Sequence, residues 1–126
     1  MKAAHLQQGK QAEAACCHYL KQQGLSLVEK NFHSRLGEID LIMLDDNVLT
    51  FVEVRYRKNN LFGGAEASVT LKKQNKIRLT AEFYLQRNPK YKNARFDVVA
   101  MSPTTQSSTF QQTVDNYTFN WIKNAF

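Results

Sequence analysis

The stretch "GEIDLIMLDDNVLTFVEVRYR", residues 37–57, decides how this chain folds. Two apolar-rich runs flank Asp45, Asp46 and Asn47, the only turn-forming cluster in the segment. Residues 38–44 and 48–57 therefore read as the arms of an antiparallel hairpin, with Asp46 and Asn47 as its loop. Centred there, Asp40 faces Glu53, Glu38 faces Arg55 and Ile42 faces Phe51. Side chains alternate along a strand, so Glu38, Asp40, Glu53 and Arg55 share one face. Ile39, Leu41, Met43, Val52, Val54 and Tyr56 take the other. A slip of one residue would separate Asp40 from Glu53 and mix the apolar sets.

Carboxylates directly opposed on neighbouring strands lie roughly 5 Å apart at Cβ and repel by about 3 kcal/mol at an effective dielectric near 20. That exceeds the ~0.2–1 kcal/mol of a favourable cross-strand pair, so something must compensate. Three agents could do so: a shared proton, a basic neighbour such as Arg55, or a divalent cation with hard oxygen ligands. The hairpin geometry alone leaves all three open.

Upstream, residues 3–23 have helical periodicity, with Leu6, Gly9, Cys16 and Leu20 on one stripe and Gly24 as the stop. Glu13 falls on the same stripe, either snorkelling from its edge or acting as a fourth acidic candidate. Residues 25–32 alternate as a strand. Downstream, "NNLFGGAEAS" is a polar loop containing Gly63 and Gly64. Ser68 or Thr70 can cap a second helix that runs to about Arg87, where Asn88-Pro89 ends it. Its inward stripe is Ile77, Ala81, Tyr84 and Leu85. Lys72, Lys73, Lys76 and Arg78 crowd its first half, where cations oppose the helix dipole; a phosphate partner or a solvated face accounts for them. "ARFDVVAM" is an internal strand, "SPTTQSST" a linker, and the tail holds one further strand with a short apolar segment. Up to the "ARFDVVAM" strand, the order α-β-β-β-α-β predicts an α/β fold, a mixed sheet flanked by helices.

The 126 residues fit a single domain, 1–126, and 43% hydrophobic against 22% charged residues excludes a disordered chain. Seventeen Lys and Arg against eleven Asp and Glu give a net charge of +6, which favours a polyanionic partner, nucleic acid first. Cys16 and Cys17 are adjacent on a helix, which rules out a framework disulfide between them, and read as small core residues. His5, His18 and His33 are scattered and form no zinc pattern. Neither a signal peptide nor a run long enough to span a membrane is present, so a cytoplasmic location is expected.

An acidic residue in one strand followed by E-x-K in the next resembles the restriction-endonuclease-like, PD-(D/E)xK, nucleases. Here the pattern is "EID" (38–40) with "EVR" (53–55). More closely, "GKQAEAACCHYL", "GEIDLI", "FVEVRYR", "FGGAEASV", "KKQNKIRLTAEFYL" and "RFDVV" resemble the YraN-like family of small bacterial proteins, over roughly residues 9–101. That family is itself similar to the archaeal Holliday-junction resolvases, dimeric metal-dependent nucleases with an acid in the first helix. The resemblance implies a restriction-endonuclease-like fold and a Mg²⁺- or Mn²⁺-dependent endonuclease acting on structured or branched DNA, DNA ahead of RNA, as a homodimer. It implies Glu13 as the helix acid, Asp40 and Glu53 as metal carboxylates, and Arg55 at the E-x-K position. Lys72, Lys73, Gln74, Lys76 and Arg78 would meet nucleic acid. Nucleases of this class usually have Lys where this chain has Arg55; arginine neutralises charge but cannot give up a proton. A non-catalytic nucleic-acid-binding module or adaptor of the same fold is therefore the alternative. A protein-interaction domain with an incidental basic surface is a third reading, which predicts no salt-dependent DNA binding.

Overall fold

The computed structural model describes residues 2–58, 69–104, 112–114 and 116–126, with main chain only at 2–8 and 112–114. The elements are α1 (Lys2–Gln22), β1 (Ser26–Ser34), β2 (Gly37–Asp45), β3 (Val48–Tyr56), α2 (Leu71–Arg87), β4 (Asn93–Pro103), β5 (Gln112–Val114) and β6 (Tyr117–Ile122). The strands form one sheet in the order β1-β2-β3-β4-β6-β5, antiparallel throughout except for the parallel pair β3–β4. The fold is a mixed α/β sandwich, as expected. Its element order continues past β4 through the three-residue β5 and then β6, where the tail reading had one strand.

Each face of the sheet carries one helix. On one side Ala12, Ala15, Cys16, Tyr19 and Leu20 of α1 pack on Leu41, Met43, Val52, Val99 and Met101. On the other, Ile77, Ala81 and Tyr84 of α2 pack on Ile42, Leu49, Phe51 and Val98. Strand β4 is buried from Asp97 to Ser102, because α2 returns the chain parallel to β3 and leaves β4 covered on both faces. Gly24 stops α1 with φ +101, a conformation that glycine adopts without strain. The α1 stripe is correct at Cys16 and Leu20, but Ala12, Ala15 and Tyr19 carry much of the contact. Both cysteines are buried free thiols, and burial pushes the Cys16 thiol up.

Thr70 caps α2: its hydroxyl oxygen accepts from the Lys73 N–H at 3.1 Å. At the other end Asn88 stops the helix, its N–H donating to the Leu85 carbonyl and its side chain to that of Tyr84. Thr80 joins the buried stripe because its hydroxyl donates back to the Lys76 carbonyl at 2.8 Å, which removes the polar group from the packing surface. The glycine loop with Gly63 and Gly64, and Ser68, lie outside the described residues, as does most of the expected linker. Among the described residues no helix is long and apolar enough to cross a membrane.

A buried charge fixes the far end of the sheet. Asp97, with no exposed surface, accepts from Arg95 Nε at 3.0 Å, Trp121 Nε1 at 2.9 Å and the Asn124 N–H at 2.9 Å. Arg95 also donates to Asp45 at 2.8 Å, which ties the hairpin tip to β4. The Ala125 N–H donates to the Phe96 carbonyl and Phe126 stacks on Phe96, so the final residues close over the α2 side of the core.

Candidate active site

The hairpin register is the one expected from its centre. Asp45 pairs with Val48, Ile42 with Phe51 and Leu41 with Val52. There the β2–β3 ladder stops, so Asp40 and Glu53 do not form an ordinary cross-strand pair, nor do Glu38 and Arg55. Instead an Asp40 carboxyl oxygen accepts from the Val54 N–H at 2.8 Å, replacing a backbone acceptor. The carboxyl group thus lies in the seam where the two strands separate.

A second irregularity faces this one. On β1, Lys30 pairs with Leu41 and Phe32 with Ile39, which leaves Asn31 across from Asp40, and Asn31 has φ +50. Ile39 belongs to the α2 side of the core and Leu41 to the α1 side, although they are two residues apart. Regular alternation cannot do that, so β2 turns over at Asp40. The expected apolar face therefore holds for Leu41, Met43, Val52, Val54 and Tyr56, while Ile39 crosses to the opposite layer.

This local twist brings together acids from three elements. Glu13 of α1 is hydrogen-bonded to the Asn31 side chain and to Asp40, and Asp40 is also hydrogen-bonded to Glu53 of β3. Burial, reinforced by the Glu53 and Glu13 charges, pushes the Asp40 carboxyl up to about 8, despite the opposing Val54 hydrogen bond. Burial also raises Glu13, with the Glu38 and Glu53 charges adding to it. Burial and the neighbouring acids thus favour the protonated form of Asp40. Of the three compensations that the sequence left open, the raised Asp40 carboxyl and its hydrogen bond to Glu53 favour a shared proton. A basic neighbour is present as well, and it comes from a different element: Lys73 Nζ of α2 forms an ion pair with Glu53.

Arg55 is half-buried, two residues along β3 from Glu53. Glu38 points to solvent and pairs with His33 at 3.2 Å across β1–β2, so it reaches the acidic cluster only through its charge. Of the α2 candidates, Lys72 and Lys76 are exposed, and α2 crosses β2 where Lys76 and Thr80 lie over Gly37. Gln74 is turned inward, its amide donating to the Val69 carbonyl at 2.8 Å, which holds the start of the helix. Arg78 stands on another flank with its guanidinium 5.3 Å from the Phe126 ring centre. Lys73 and Glu53 are thus joined directly, Lys72 and Lys76 lie free to meet solvent, and Gln74 and Arg78 serve the helix and the C-terminal closure.

Asn31 was not legible as a site residue. A lone Asn between Lys and Phe in a strand carries no chemical signature, and its left-handed conformation, which asparagine tolerates, becomes evident only in the folded chain.

The donors suit a hard divalent cation: carboxylate oxygens, partly buried and close enough to repel one another. In this conformation they bond to each other, and among the described residues no group of three or more His, Cys, Asp or Glu is arranged around a common centre for a metal ion. Asp40 and Glu53 alone meet the one- or two-carboxylate requirement of a site completed by water and phosphate oxygens.

Residues 12–101 match the family described as "Uncharacterised protein family UPF0102". The relatives include a UPF0102 protein of Alcanivorax borkumensis, 45% identical over 120 residues, 94% of this chain and 90% of the relative. One of Nitrosococcus oceani is 44% identical over 126 residues, 98% of this chain and 94% of the relative. Another, of Colwellia psychrerythraea, is 46% identical over 121 residues, 94% and 87% of the two chains. The chain belongs to the UPF0102 family, the YraN-like family to which its motifs pointed.

Proposed function

We propose that the protein is a metal-dependent endonuclease for structured or branched DNA, of the restriction-endonuclease-like class, working as a homodimer. The observation that carries this reading is the chain of carboxyl groups Glu13, Asp40 and Glu53. It is assembled where β2 and β3 separate, beside the basic first turns of α2. A fold gains nothing from three adjoining buried or half-buried acids; such groups are tolerated where a ligand neutralises them.

Asp40 and Glu53 would hold Mg²⁺ or Mn²⁺, with Glu13 acting through water or through its bond to Asp40. Such an ion polarises the scissile phosphate and lowers the pKa of an attacking water. Asp40 would hold the ion as its carboxylate, since metal ligands bind deprotonated. Arg55 would supply positive charge near the bound phosphate. Lys72 and Lys76 meet backbone phosphates and position the duplex without reading its sequence.

A second reading is a nucleic-acid-binding module without hydrolysis. It is supported by the ion pair already satisfying Glu53 and by Arg55 in place of the usual lysine. Mn²⁺ titration calorimetry separates the two, followed by cleavage assays on branched and flapped DNA with wild type and Asp40→Asn. The nuclease takes up Mn²⁺ and nicks DNA, and the variant does neither. Salt-dependent DNA binding with no Mn²⁺ uptake, even with DNA present, establishes the binding module instead.

A further inference from the structure

We propose that Lys73 competes with the divalent cation for Glu53, so that the protein binds cation and phosphate backbone cooperatively; this rests on the metal site proposed above. In the free protein the Lys73 ammonium occupies a carboxylate oxygen of Glu53. The two partners differ sharply in exposure: the Lys73 side chain is 47% exposed and that of Glu53 6%. The lysine therefore reaches from the surface to cover a buried acid.

Its backbone and its charge are under separate control. The Lys73 N–H is held by the Thr70 cap at 3.1 Å, which fixes where the side chain starts. Beyond that point lies a flexible four-carbon stem ending in a compact charge whose donors rotate, able to move between a carboxylate and a phosphate. Arg55, fixed on the strand beside Glu53, has a planar fork suited to one geometry. Lys72 and Lys76 are exposed near Lys73 along the same helix, so a phosphate backbone attracted there arrives within reach of its ammonium.

The consequence follows from linkage. While Lys73 covers Glu53, a cation must displace it. A phosphate that draws Lys73 away leaves Glu53 uncovered and favours cation uptake, and the cation in turn releases Lys73 to the phosphate. Each ligand then raises the affinity for the other by the same factor. Without ligands Glu53 stays paired with the Lys73 ammonium, and that charge is redistributed only when both ligands are present.

The test is Mn²⁺ titration calorimetry on wild type, Lys73→Met, Lys73→Gln and Lys73→Arg, each alone and with a phosphorothioate-protected DNA hairpin. Removing the ammonium should tighten Mn²⁺ binding to the free protein about tenfold. It should also shrink the DNA-induced gain in Mn²⁺ affinity by a similar factor. Lys73→Arg, which keeps the charge, should behave as wild type in the free protein. Glutamine serves as the second neutral variant should methionine fail to fold. If wild type takes up Mn²⁺ through Asp40 but both neutral variants bind it no more tightly, the competition is overturned while the metal site stands. If wild type takes up no Mn²⁺ with or without DNA, both proposals fall.

Discussion

Replacing Asp40 by Asn should stabilise the free protein at alkaline pH and leave it nearly unchanged in mild acid. The Asp40 carboxyl is pushed up to about 8 from an ordinary 3.8, first by burial and then by the Glu53 charge. The folded state therefore holds a proton that the unfolded chain has already released. Stability contributed by that proton is complete below the ordinary carboxylate range and is lost as pH rises toward 8. Each pH unit in that interval costs the folded state up to ~1.4 kcal/mol. From pH 5 to pH 8 the loss is at most about 4 kcal/mol, and local relaxation around the buried group brings the expected figure to about 2. Asparagine imitates the protonated acid: its oxygen can still accept from the Val54 N–H, and its amide can donate toward Glu53. Urea denaturation of both proteins at pH 5, 6.5 and 8, without divalent ions, measures the difference. The variant should gain about 2 kcal/mol on wild type between the lowest and highest pH. A stability difference that does not change with pH, or a variant that grows relatively less stable as pH rises, would refute the protonated carboxylate chain. The same substitution removes Mn²⁺ uptake if the proposed function is correct, so stability and function trade against each other at one atom.

Asp97→Ala should cost about 3–5 kcal/mol, because it leaves Arg95 with Asp45 alone and frees Trp121 Nε1 and the Asn124 N–H. Hydrogen exchange should show the amides of 121–126 losing protection first, and unchanged protection there would contradict the anchoring role. Gly37→Ala should cost roughly 1–3 kcal/mol, since φ is +154 and a Cβ would stand 3.1 Å from the Thr80 hydroxyl. The pair Gly37→Ala with Thr80→Ala should recover the steric part and not the backbone part, which denaturation of the double variant resolves.

The sequence by itself determined the local pieces of this protein. Period-two alternation and a single turn cluster fixed the hairpin and its register, because a slipped strand would expose its apolar set. Thr70 and Asn88-Pro89 marked the ends of α2 through hydrogen-bonding chemistry confined to a few neighbouring residues. Asp40 and Glu53 were legible as a pair for the same reason, since both lie on one hairpin. What only the tertiary structure decided is how those acids are neutralised. Ion pairing through Lys73 depends on where α2 packs on the sheet, a contact between residues 20 apart with no shared periodicity. The place of Glu13 depends on α1 crossing the sheet where Asn31 and Asp40 both break the regular strand, and Ile39 changes layer for that reason. Alternation rules describe an unbroken ladder. A site built where the ladder opens is set by the packing of helices on either face, which no short-range pattern encodes.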